Sequence, residues 1–200
     1  MITIPYAGWC FIAALAVVFL SSWLMGRQSR FLFTKDPIRR PFSLFEMQFP
    51  AKSYDLENLI NGIYQLPADA AKTVRALKVQ LLLDYFLFIP AVYGGIFILS
   101  MHLAAGMQTS VGRCWFMGLA WAQVIPFILD YIENTYFWIM IGKRNIPIPR
   151  PTPFQPPKTS RSFRAFQWLE LFKWGLPLLA FSCCLSLLAY LWLSGKCWPY

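Results

Sequence analysis

Four apolar runs dictate what this chain can fold into. They cover roughly residues 9–24, 81–103, 114–141 and 166–193, and about 20 helical residues cross a hydrocarbon core. In lipid a backbone must satisfy its hydrogen bonds internally, which leaves helices as the natural solution for runs of this length. The composition agrees, with 58% hydrophobic and 14% charged residues and a mean hydropathy of +0.48. These runs predict an all-α polytopic membrane protein with four transmembrane helices, about 9–25, 81–104, 114–141 and 166–193. Residues 1–200 then form a single membrane domain with connectors over 26–80 and 142–165. The first run has no basic flank before it and a poor small-residue cleavage site after it, so a retained anchor is expected rather than a signal peptide.

Lys and Arg set the expected orientation. The connector 26–80 carries Arg27, Arg30, Lys35, Arg39, Arg40, Lys52, Lys72, Arg75 and Lys78. The connector 142–165 carries Lys143, Arg144, Arg150, Lys158, Arg161 and Arg164 and no acid, while the opposite side has Arg113 and Lys196. The positive-inside bias predicts both connectors in the cytoplasm and both termini on the non-cytoplasmic side of a bacterial inner membrane. It also accounts for the net charge of +9. The expected partners of these basic residues are membrane lipids, including anionic head groups. No nucleic acid is expected, because the charge is spread beside the helices without a recognition motif.

Within the third run, Asp130, Glu133 and Asn134 fall at i, i+3 and i+4 and share one helix face with Gln123. A lone carboxylate in hydrocarbon costs several kcal/mol or changes its protonation state, so this face is expected to point into protein. Asp84 lies near the cytoplasmic start of the second helix, and Glu170 and Lys173 near that of the fourth. At about 1.5 Å per residue these groups share one depth, with Asp130 somewhat deeper. A polar layer of Asp84, Gln123, Asp130, Glu133, Asn134, Glu170 and Lys173 between helices two, three and four is therefore expected. Lys173 is the single basic residue within the runs. Three roles fit such a layer: a hydrogen-bond network that fixes packing, with Asn134 and Tyr85, Tyr93, Tyr131 or Tyr136 as donors; a binding site; or an acid–base site using Asp84, Asp130 and Glu133. For a packing network, Asp130→Asn and Glu133→Gln should preserve folding where leucine does not.

The connectors carry their own signals. Residues 42–49 read as a short extended or interfacial piece ending at Pro50. Residues 55–61 read as a short amphipathic helix punctuated by Gly62 and Pro67, and 68–80 as a strong helix former running into the second membrane helix. Residues 146–157 hold six prolines and read as an extended strap. Pro90, Pro126 and Pro177 are expected to kink three membrane helices, and Gly94–Gly95 to permit close helix approach. A disulfide is open among Cys10, Cys114 and Cys197, whereas Cys183 and Cys184 read as packing residues. The single histidine, His102, rules out haem held by two histidines of this chain, and its isolation speaks against zinc-hydrolase or desaturase chemistry. No metal or cofactor is expected.

The pattern Asp84-x-x-x-Phe88 with Tyr93, followed by Asp130-x-x-Glu133-Asn134, resembles a set of small bacterial four-helix membrane proteins. The resemblance covers most of 42–140, leaves out the proline-rich strap, and implies a fold without an activity. Sterol-isomerase-like membrane proteins also bury acids in a four-helix bundle, but the first helix here has no ionisable residue. With no nucleophile–base motif, phosphate loop or metal-ligand spacing, the expected function is a non-enzymatic accessory or assembly subunit of a larger inner-membrane complex. The alternative is a small membrane enzyme or binding protein for a lipidic molecule.

Overall fold

The computed structural model describes residues 6–35, 38–50, 55–66, 68–143 and 161–194. The fold is almost entirely helical. Four helical stretches are long and apolar enough to cross a membrane: Ala7–Ser29, Ala70–Gly106, Ser110–Gly142 and Gln167–Leu193. This is the architecture of a multi-pass membrane protein. The elements in chain order are α1 (Ala7–Ser29), β1 (Phe33–Lys35), β2 (Arg39–Pro41), α2 (Leu44–Gln48), α3 (Asp55–Tyr64), α4 (Ala70–Leu83), a π-helical turn (Asp84–Phe88), α5 (Ile89–Gly106), α6 (Ser110–Ala122), α7 (Val124–Gly142) and α8 (Arg161–Leu193). As expected, the helix former after Pro67 runs on into the second span.

The three prolines leave different marks on their helices. Proline lacks an N–H and its ring collides with the carbonyl four residues back. Ahead of Pro90 that carbonyl belongs to Phe86, and residues Asp84–Phe88 widen into a π turn. Ahead of Pro126 it belongs to Ala122, and the third span divides there into α6 and α7. Pro177 lies inside α8 without ending it.

The chain packs as two compact units: Met1–Ser21 with Tyr85–Tyr131 and Phe172–Tyr200, and Ser22–Asp84 with Ile132–Leu171. In the first unit, Ile96, Leu99 and Leu103 of α5 meet Phe116 and Leu119 of α6 and Ala180 and Cys184 of α8. Thr109 caps α6 by accepting from the Gly112 N–H at 3.2 Å. The Arg113 guanidinium donates to the Met107 carbonyl across the same turn. Of the two adjacent glycines, Gly95 makes the close approach: a Cβ there would lie 3.1 Å from the Ala14 Cβ, whereas at Gly94 it would meet nothing within 4 Å.

In the second unit, Leu32, Met47, Ile60, Ile63, Leu77 and Phe137 form a core with essentially no exposure. Within residues 42–49, Leu44–Gln48 form the helix α2 rather than an extended piece. Ser43 and Glu46 have the spacing of a helix-start capping box, and the Ser43 hydroxyl accepts from the Glu46 N–H at the start of α2. The two-stranded antiparallel hairpin pairs Phe33 with Pro41 and Lys35 with Arg39, and was not foreseen. Nor does Gly62 end the third helix, which continues to Tyr64. Glycine is needed there for closeness: a Cβ at 62 would lie 2.3 Å from Thr34 Oγ1 and 2.8 Å from the Lys35 carbonyl oxygen. Buried polar side chains tie the segments together. Thr34 donates to the Leu59 carbonyl, Thr73 to the Phe31 carbonyl, and Gln80 Nε2 to the Met25 carbonyl at 2.7 Å and Ser29 Oγ at 2.9 Å. The proline-rich strap lies outside the described residues.

Candidate functional site

The buried face of α7 follows one stripe, through Pro126, Glu133, Asn134, Phe137, Met140 and Ile141, with Asp130 partly buried on it and buried Gln123 just ahead of it at the end of α6. The matching stripe of α8 runs through Glu170, Lys173, Pro177, Ala180 and Cys184. Both keep the three-and-four spacing of a packed helix face, so on each helix the polar residues take places along the buried side that apolar ones hold elsewhere.

In the first unit these stripes bring Lys173 to Asp130. The ammonium lies 2.9 Å from Asp130 Oδ1, and the two side chains are 1% and 13% exposed. The Tyr93 hydroxyl, from α5, donates to the other carboxylate oxygen, Oδ2. An ion pair removed from water survives only when its geometry is good and its remaining valences are met. Here both carboxylate oxygens are engaged.

The π turn builds a second connection in the same unit. In the i to i+5 register the Tyr85 carbonyl would look to the nitrogen of Pro90, which has no hydrogen. The Tyr131 hydroxyl donates to that carbonyl at 2.9 Å instead. The rings of Tyr85 and Tyr131 pack with centroids 4.1 Å apart. Phe127 continues the stack at 4.6 Å from Tyr131 and meets Tyr93 edge-on at 6.2 Å. A row of aromatic rings thus leads along α7 to the tyrosine that holds Asp130.

Gln123 has a different role from the one its stripe position suggested. At the break, its backbone N–H bonds to the Ala120 carbonyl rather than to that of Leu119. Its side-chain Nε2 then donates to the Leu119 carbonyl at 3.1 Å. The carboxamide repairs its own helix end.

In the second unit, the Asn134 amide donates to Asp84 Oδ2 at 2.7 Å, joining α7 to the start of the π turn. Glu133 and Glu170 are both buried in this unit. The expected residues therefore form at least two defined centres, Lys173–Asp130–Tyr93 and Asn134–Asp84. Of the tyrosines expected as donors, Tyr93 serves the first centre, while Tyr131 donates to the Tyr85 carbonyl. Gln80, buried and bonded to Met25 and Ser29, was not singled out from the sequence; its position on the α4 stripe with Thr73, Ala76, Leu77 and Leu81 was the available signal.

Among the described residues, no three His, Cys, Asp or Glu side chains are grouped to hold a metal ion. Cys10, Cys114, Cys183 and Cys184 are free thiols, and only Cys184 of these is buried; it lies 3.3 Å from the Ser100 hydroxyl. Cys197 lies outside the described residues. In comparisons with protein-family models, curated proteins and solved structures, nothing matches this chain.

Proposed function

We propose that this protein is a non-enzymatic accessory or assembly subunit of a larger complex in a bacterial inner membrane. One observation carries the reading: Asp130 is neutralised by a fully buried lysine and held by Tyr93. A general acid or base needs a proton-accepting position open to substrate. A carboxylate engaged on both oxygens serves better as a lock between helices. Isolation from the native membrane in mild detergent should recover a second membrane protein in fixed ratio, identified by mass spectrometry. Recovery of the chain alone would remove the support for a subunit.

The basic residues support a cytoplasmic placement of the α1–α5 connector and non-cytoplasmic termini. Arg27, Arg30, Lys35, Lys72 and Arg75 are exposed in the second unit, a distribution suited to anionic lipid head groups. Two cations sit over indole rings, Arg27 over Trp23 at 4.8 Å and Lys78 over Trp138 at 5.2 Å, a pairing suited to the membrane–water interface. On a background with the native cysteines replaced, Lys72→Cys should resist an impermeant maleimide in intact cells while Val111→Cys reacts. The reverse pattern would invert the topology.

A further inference from the structure

The first unit contains an apolar groove of about 160 Å³. Phe11, Ala14 and Val18 of α1 line one wall, Ala91 and Val92 of α5 another, and Phe181 of α8 closes it. Its origin is local. α1 touches α5 closely where Gly95 faces Ala14, and beside that contact the small side chains of Ala14 and Ala91 do not fill the space between the helices. Within the first unit, Ala7 is the only α1 residue besides Ser21 that is buried. The groove side of α1 keeps helical spacing at 11, 14 and 18, while Trp9, Ile12 and Phe19 are exposed on it elsewhere.

The lining determines the chemistry of an occupant. All six of these side chains are hydrocarbon, so the groove offers a polar ligand no hydrogen bond and holds water poorly. The contributing helices all belong to stretches long and apolar enough to cross a membrane, where the surrounding medium is acyl chain. A concave surface left unfilled forfeits dispersion contacts, and in lipid those contacts are a main source of association. We propose that this groove binds one acyl chain of a bilayer phospholipid as a resident lipid. The site is independent of the subunit reading above, since it rests on neither Asp130 nor a protein partner.

The test uses the full chain in vesicles of phosphatidylglycerol and phosphatidylcholine with a photoactivatable diazirine on the acyl chain. Adducts mapped by mass spectrometry should concentrate on the peptides containing Ala14, Val18 and Ala91. They should exceed those on the exposed α7 face at Ile128 and Ile132 by about tenfold, the ratio that corresponds to ~1.4 kcal/mol of preference. Filling the groove with Ala91→Phe should remove that excess while Ile128→Phe leaves it intact. The adduct map of the unaltered chain decides the matter even where Ala91→Phe fails to fold. Adducts spread evenly over all exposed helix faces would reduce the groove to ordinary lipid contact and refute the proposal. Protein–protein cross-links at Ala14 and Ala91 in place of lipid adducts would also refute it, by assigning the groove to a helix of another chain.

Discussion

Replacement of Lys173 by methionine should lower the stability of the protein by about 3–5 kcal/mol, the usual consequence of removing one partner from a buried ion pair. Methionine keeps the unbranched apolar stem, so packing changes little. What changes is Asp130, whose Oδ1 loses an ammonium at 2.9 Å. Asp130→Leu should destabilise from the other side, because it removes the carboxylate 2.9 Å from the ammonium of a residue that is 1% exposed. The geometry also revises the expectation for Asp130→Asn. An amide can still accept from Tyr93, but it cannot neutralise Lys173, so this substitution should destabilise rather than pass unnoticed. Combining Asp130→Leu with Lys173→Met removes both charges and should recover a substantial part of the loss. Thermal unfolding in detergent measures all four proteins. A Lys173→Met protein as stable as the unaltered chain would show that the pair does not lock these helices.

Phe137→Ala should cost a similar amount, about 3–5 kcal/mol, through the cavity that truncation of a large buried ring leaves behind. Phe137 is 1% exposed and belongs to the core formed with Leu56, Ile60, Ile63, Leu77 and Leu81. The damage should therefore appear first as faster amide hydrogen exchange in α3 and α4. Ile139, two residues on and 54% exposed, provides the control: Ile139→Ala should change stability by no more than about 0.5 kcal/mol. Equal effects of the two substitutions would mean that the α7 stripe has been assigned to the wrong face.

That stripe was legible in the sequence. Gln123, Asp130, Glu133 and Asn134 stand out against an apolar background, and helical spacing alone places them on one side. The four spans were legible too, because their length and apolarity are properties of single segments. Ser43 and Glu46 carried a helix-start signal that the apolar residues around them masked. By contrast, several acids could have claimed Lys173, and sequence spacing could not choose Asp130 among them. Pairing between helices depends on their rotation and depth, which change where the backbone departs from the α-helix ahead of Pro90 and Pro126. The same breaks gave Tyr131 a carbonyl to bond at Tyr85 and turned Gln123 back onto its own helix. Gly62 shows the other limit: its need to be glycine comes from Thr34 and Lys35, which reach it only through the tertiary packing of the hairpin on α3. The sequence by itself determined which segments could enter a membrane and which faces had to be hidden, since burial of charge and periodicity act along one helix. Only the tertiary structure decided which side chains meet across those faces, because that choice depends on contacts between segments far apart in the chain.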